Sequence, residues 1–120
     1  MRVIVAGCRS YRNYDEARVF LEQCFKNISC KEEIVLVSGQ CQGADELGER
    51  FAKEKGWLIE KHPAMWKKYG RAAGPIRNRE MVNTCDVVIC FWDGKSKGTG
   101  SLIRYAKNMG KPVTIQYIIP

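Results

Sequence analysis

The sequence lacks the features that would mark a metal module, a secreted disulfide scaffold or a membrane protein. It has one histidine, His62, and no C-x-x-C pair, so no zinc-ligand spacing is met and no metal site is expected. The six cysteines, Cys8, Cys24, Cys30, Cys41, Cys85 and Cys90, occur in a chain of ordinary apolar content, and several fall inside apolar runs where a thiol packs as a small hydrophobe. They are read as reduced. The apolar run Met1–Gly7 is too short for a signal-peptide core or a membrane span, so a cytoplasmic protein is expected. No linker, repeat or low-complexity segment divides the chain. Its 120 residues, 45% of them hydrophobic, suit one domain spanning 1–120 with a single sizeable core. Between Glu60 and Glu80 there is no acidic residue at all.

What is present is a repeating alternation of strands and helices. Val3–Ala6, Ile34–Val37 and Val87–Phe91 are short continuous apolar runs, the mark of strands buried on both faces of a parallel sheet. Trp57–Ile59 and Pro112–Ile118 supply two more strands. Between them, Tyr14–Ile28 carries Ala17, Phe20, Leu21, Cys24 and Ile28 at helical spacing, with Asn13 or Asp15 available as a cap. Ala44 to about Gly56, Arg77–Thr84 and about Gly98–Asn108 read as further helices. The pattern predicts an α/β fold: a single Rossmann-like domain with a mainly parallel five-stranded sheet and helices on both faces. In such sheets ligands bind beyond the carboxyl ends of the strands, where the strand order reverses.

The loops at those ends carry the candidate residues. Ser38-Gly39-Gln40-Cys41-Gln42-Gly43-Ala44-Asp45 joins a strand to a helix, and its free N–H groups at the helix start offer a phosphate site. Asp45 either caps that helix or binds a ribose hydroxyl. Trp92-Asp93-Gly94-Lys95-Ser96-Lys97-Gly98-Thr99 follows the same logic after the fourth strand, and two such helix starts side by side suit a ligand with two phosphates. Trp92 closes over a ligand or packs. Gly7, Arg9 and Ser10 follow the first strand, and Cys8 and Cys41 are the two thiols in site loops. The net charge of +7 fixes the partner's sign as negative without choosing among nucleotide, nucleic acid and membrane surface.

The acid-free stretch interleaves Lys61, Lys67, Lys68, Arg71, Arg77 and Arg79 with Trp66 and Tyr69, a combination that suits stacking on a base and pairing with phosphate. Gly74 to Arg79 reads as a rigid turn that delivers a partly exposed Arg77, beside Asn78, into a helix start. Glu49 is near enough to its own helix start to be a weak catalytic candidate, together with Arg77.

As an ordered set, Val5–Ser10, Ser38-Gly39 through Gly43-Ala44-Asp45, Pro63–Trp66, Gly70 through Asn78 and Phe91–Gly94 with Ser96 and Gly98-Thr99 resemble the SLOG superfamily, closest to its small YspA-like branch. This Rossmann-like group includes the Lonely Guy phosphoribohydrolases and the DNA-processing protein DprA/Smf. The resemblance implies binding of nucleotides or nucleotide-derived signals such as ADP-ribose relatives, often in a homo-dimer or higher homo-oligomer, with no separate cofactor required. In the Lonely Guy pattern a catalytic glutamate lies three positions after the threonine of a glycine-threonine pair; here Thr99 leads to Leu102. That departure turns the expected use from cleaving a nucleotide toward holding one, as a sensor or sequestering protein in signalling. A phosphoribohydrolase-type enzyme and DprA-like single-strand nucleic-acid binding are the alternatives, the latter opposed by an aromatic content of only 10%.

Overall fold

A computed structural model describes residues 1–28 and 33–119. Along the chain, β1 (Arg2–Gly7), α1 (Tyr14–Asn27), β2 (Val35–Ser38), α2 (Ala44–Lys55) and β3 (Leu58–Lys61) come first. The short α3 (Trp66–Tyr69) and a 3-10 turn (Gly70–Ala72) then lead into α4 (Ala73–Thr84), β4 (Val87–Trp92), α5 (Lys97–Asn108) and β5 (Val113–Tyr117). The five strands form one sheet in the order β3-β2-β1-β4-β5, and every pairing is parallel. The chain therefore builds outward from β1 in one direction, returns, and builds outward in the other. The reversal lies between β1 and β4, which pair from Val3↔Val87 to Gly7↔Phe91 and finish level.

The two-residue period of the central strands divides the core. Val3 and Val5 of β1, Leu36 of β2, and Ile89 and Phe91 of β4 meet Ala17 and Leu21 of α1 and Phe51 and Ala52 of α2. Ile4, Ala6, Val37, Val88 and Cys90 turn the other way, onto Met81 and Val82 of α4 and Leu102, Ile103 and Ala106 of α5. Each fully buried Leu, Ile or Phe stabilises the fold by about 1.5–3 kcal/mol relative to an exposed position. Apolar residues on both faces of β1, β2 and β4 thus account for the continuous hydrophobic runs seen in the sequence.

Element ends differ from expectation for identifiable reasons. Asn13 accepts a hydrogen bond from the Glu16 N–H (3.1 Å) and starts α1 where the cap was expected, but Ile28 is its C-cap rather than a helical residue. The fourth helix begins at Ala73, ahead of Arg77, so Gly74 and Pro75 are helical and not a preceding turn. Proline fits there because the missing N–H belongs to the helix's first turn, which has no intrahelical acceptor for it. Part of the long loop expected after β3 is itself helical, as α3 and the 3-10 turn. Cys8, Cys24, Cys41, Cys85 and Cys90 are free thiols, and Cys30 lies outside the described residues. Among the described residues, no helix is long and apolar enough to cross a membrane.

Gly48 fixes how closely α2 approaches the sheet, since a Cβ on it would stand 2.8 Å from both Cβ and Cγ1 of Val5. Valine is stiff at χ1 and Val5 is buried, so neither can yield cheaply. Gly48→Ala is expected to destabilise the fold by about 1–3 kcal/mol in denaturant titrations, despite alanine's higher helix propensity. An unchanged or raised midpoint would mean that α2 is free to shift outward.

Candidate functional site

Three backbone segments are fastened together at the carboxyl end of the sheet. The Cys8 N–H bonds to the Phe91 carbonyl (3.0 Å), joining the β1 exit to β4, and the Ala44 N–H bonds to the Cys8 carbonyl (3.2 Å), joining α2 to the same exit. Gly43 makes this approach possible: its φ is +77°, and a Cβ would collide with the carbonyl oxygens of Cys8 and Arg9. The Gly43 N–H is directed to Glu46 Oε1 (3.3 Å). The Gly43 and Ala44 N–H groups therefore serve the fold, and neither residue lines the cleft described below. Of the expected contacts in this loop, Gly43 and Ala44 thus stand apart from the cleft, while Asp45 lines it.

Ser38 is also turned inward. It is fully buried, donates to Glu49 Oε2 (2.7 Å) and accepts from the Gln40 N–H (3.2 Å). Glu49 in turn holds the Gln40 side chain and borders a neighbouring hollow with Cys41, Gln42 and Glu46; Glu49 itself does not line the cleft. The structure thus gives Glu49 a loop-bracing position. His62 bonds through Nε2 to Glu60 (2.6 Å), which is paired with Arg2; these residues too are outside the cleft.

Arg77 is not the partly exposed turn residue expected from the sequence. It lies within α4 and only 7% of its surface is exposed. Its guanidinium donates to the Gly39 carbonyl and to Asn78 Oδ1 (2.8 Å), and reaches Cys41 Sγ at 3.5 Å. An arginine on one face of the sheet thereby holds the β2–α2 loop in place. Beside it, Asp45 is 5% exposed, and its Oδ2 accepts the Cys41 N–H (3.2 Å). Burial pushes the Asp45 carboxyl up to about 6, against the opposing pull of the Cys41 N–H and the Arg77 and Arg9 charges. Asp45 Oδ1 has no protein partner among the described residues, and no buried side-chain oxygen or nitrogen there is left unsatisfied, so Oδ1 opens to the cleft that Asp45 lines.

Opposite stands the start of α5. Asp93 accepts the N–H groups of Lys95 (2.9 Å) and Ser96 (2.8 Å) and the Ser96 hydroxyl (3.2 Å), and the two backbone bonds hold its carboxyl down at about 2. With its one proton given to Asp93, Ser96 Oγ accepts from the Cys8 thiol at 3.2 Å. Trp92 packs: its indole N–H donates to the Ser96 carbonyl (3.0 Å) and its ring lies near Tyr117. Trp92, Asp93 and Gly94 thus shape the loop from behind and do not line the cleft, whereas Ser96, Gly98 and Thr99 do.

The cleft between these walls has a volume of about 330 Å³. Its sides come from Gly7 at the end of β1, Arg9 and Ser10 after it, Asp45 of α2, Arg77 and Asn78 of α4, and the α5 start; Ala6, Met81 and Leu102 add apolar surface. Of the residues expected at the site, Arg9, Ser10 and Gly98 are exposed there. A side lobe of about 460 Å³ continues past Arg9, Cys41 and Arg77 to Gly39, Gln40, Gln42, Pro63, Ala64 and Trp66. Met81 was not foreseen, although it follows Arg77 by four positions and so shares its helix face. Leu102 was singled out as a missing acid, and it faces the same space.

An all-parallel sheet of order 3-2-1-4-5 with its cleft at the β1/β4 reversal defines a Rossmann-like domain. The chain belongs to the YspA, cpYpsA-related SLOG family, whose model matches residues 1–69. It is also similar to the Gene 61 protein of Mycobacterium phage D29, with 33% identity over 118 residues covering 93% of this chain and 93% of that protein. No solved structure matches it. The family match spans β1 through α3; Arg77 and the α5 start lie beyond it.

Two outcomes are expected from this arrangement. Arg77→Ala should destabilise the fold by about 2–4 kcal/mol in chemical denaturation, because it strips a buried carbonyl and a buried carboxylate of their cation; a loss under about 0.5 kcal/mol would show that the clamp is dispensable. Asp45, with a folded pKa of about 6 against 3.8 when free, binds protons more tightly in the native state. Its contribution is fully present below about pH 4 and is lost as pH rises through 6, by roughly 3 kcal/mol at most. Asp45→Asn should therefore gain stability relative to the parent between pH 4 and 7, and parallel pH profiles for the two proteins would refute the assignment.

Proposed function

We propose that the cleft holds a phosphate-bearing, nucleotide-derived small molecule, with the phosphate at the start of α5 and beside Arg9, and that the protein retains this ligand as a sensor or sequestering module. The observation that carries this reading is the open start of α5 at the strand-order reversal. The Gly100 N–H closes the first intrahelical bond to the Ser96 carbonyl (3.0 Å), which leaves the N–H groups of Lys97, Gly98 and Thr99 at the positive end of the helix dipole. Membership of the SLOG family supports a nucleotide-related ligand. A ribose hydroxyl would donate to the open Oδ1 of Asp45 across the cleft. Leu102 supplies no proton or charge there, which favours holding over cleavage.

One observation favours a second reading, in which the nucleotide is hydrolysed: Asp45 is a cleft carboxylate whose pKa is close to neutral. Prolonged incubation with AMP or NAD followed by chromatography separates the two, since free base or ribose 5-phosphate appears only in the second.

Gly98 provides the test of the primary reading. A Cβ at this position meets nothing within 4 Å, so a side chain there enters open space. Gly98→Asp places a carboxylate in the first turn of α5, where it should leave the melting temperature unchanged or slightly raised through the helix dipole. The same carboxylate opposes an incoming phosphate. Ribose 5-phosphate and ADP-ribose should raise the melting temperature of the parent protein, and calorimetry should show at least a tenfold loss of affinity in the variant. Undiminished binding by Gly98→Asp would place the phosphate elsewhere.

A further inference from the structure

β5 is an edge strand, paired with β4 on one side and with no strand on the other. Its ladder fixes which of its backbone groups are engaged. The Val88 N–H bonds to the Pro112 carbonyl and the Ile118 N–H to the Trp92 carbonyl, both at 2.9 Å, so the even-numbered residues from 112 to 118 face β4. In a parallel ladder the N–H and C=O of one residue point to the same side, and those of its neighbours to the other. The N–H and C=O groups of Val113, Ile115 and Tyr117 therefore point away from the sheet. Among the described residues only the Tyr117 carbonyl of this row receives a bond, from the Gln116 amide at 3.5 Å.

Composition makes this edge unlike the rest of the surface. Of the whole chain 28% of residues are charged, yet residues 112–120 carry no charged side chain. Most of them are β-branched or aromatic, which suits extended backbone. The opposite edge, β3, ends in Glu60 and Lys61, and charges of this kind keep an edge from pairing; β5 has no such guard. Val113 and Ile115 pack on the α5 side and Ile118 on the α1 side, so the core holds the strand in place while its edge stays open. At the exit of β5, Tyr117 is 64% and Ile119 95% exposed, beside a hollow of about 310 Å³ that reaches Tyr11 and Asn13.

We infer that the β5 edge docks an extended segment of a partner protein, which joins the sheet as a further strand through the outward groups of Val113, Ile115 and Tyr117. In this mode backbone bonds supply the affinity, and side chains on the two faces supply the selectivity. The segment is rich in β-branched residues, as its neighbour is, and its apolar side chains cover Tyr117 and Ile119. Its flanks are acidic, because it approaches a chain of net charge +7. The same charge disfavours a second copy, which would bring +7 against +7. None of the docking residues lines the cleft, so the edge works whatever the cleft holds.

Calorimetry and amide hydrogen exchange with two blocked heptapeptides, Glu-Val-Thr-Val-Thr-Val-Glu and Lys-Val-Thr-Val-Thr-Val-Lys, test it. In the protein alone the Val113, Ile115 and Tyr117 amides should exchange fast and those of Thr114 and Gln116 slowly; the acidic peptide should bind and slow the first three. The lysine peptide should bind more weakly. Affinity for the acidic peptide should fall about tenfold or more, the worth of one or two backbone hydrogen bonds, when its valines and threonines are N-methylated. Ile115→Pro should cause a similar loss, since proline at an edge removes an outward N–H and leaves the ladder intact. If circular dichroism shows that variant unfolded, Tyr117→Pro reads the same loss. An acidic peptide that fails to bind or to slow the three amides, or that binds undiminished after N-methylation or against the proline variant, overturns the docking edge. Equal affinity for the lysine peptide overturns the acidic partner. Protection of the three amides in the protein alone, rising with its concentration alongside a dimer in sedimentation, overturns it too and assigns the edge to a second copy.

Discussion

A guanidinium taken out of water needs its N–H groups satisfied and its charge opposed, and the carboxyl end of the sheet is arranged around that requirement at Arg77. Arg77 belongs to α4, which covers one face of the sheet, yet its bonds go to the Gly39 carbonyl and Cys41 in the loop that leads to α2 on the other face. Asp45, at the start of α2, stands close enough for the Arg77 charge to oppose the rise in its pKa. One side chain thereby ties the two helical layers together above the β1/β4 reversal. Loosening it would free the β2–α2 loop, and with it the walls of both the cleft and the side lobe.

That internal use of Arg77 changes how the polar groups of the site divide. Ser38, Glu49, Gly43 and Arg77 satisfy one another or the neighbouring backbone, and Asp93 with Ser96 and Cys8 does the same behind α5. These groups hold positions. Among the described residues of the cleft, the groups with capacity left over include Arg9, Ser10, the Asn78 amide N–H groups, the α5 start and one oxygen of Asp45. Walls braced this way are held by bonds within the protein, so a molecule bound between them would lose little free energy to the ordering of loops.

The sequence made the architecture legible because period-2 burial and continuous apolar runs report directly on a parallel sheet with covered faces. Val3 to Ala6 needs no partner information to be recognised as a central strand. The strand-end loops were legible for the same reason, since they lie where one period gives way to the other. What each loop residue does was less accessible. Arg77 reads as an exposed ligand contact because a basic stretch rich in glycine and proline resembles solvated loop, and only the register of α4 shows that its side chain points toward Gly39. Ser38 and Ala44 belong to a glycine loop of phosphate-binding type, but the closeness of Cys8 and Glu49 in space, which no local pattern encodes, turns them inward. Trp92 and Trp66 look alike as aromatics near loops; the fold half-buries the first, with its indole N–H on the Ser96 carbonyl, and leaves the second exposed.

The charges that remain set an orientation for any ligand in the cleft. Above about pH 6 Asp45 is ionised, so one wall carries a carboxylate and the facing wall carries the positive end of α5. A phosphate is drawn to α5 and repelled from Asp45, whereas a ribose hydroxyl gains by donating to that same carboxylate. The two preferences would cooperate in a ligand that carries phosphate and hydroxyl groups apart from one another, as the proposed function requires. Leu102 lines the same space and supplies neither charge nor proton. The polarity of the cleft would thus orient a ligand of the proposed kind, and the excess of positive charge across the chain attracts anionic molecules without choosing among them.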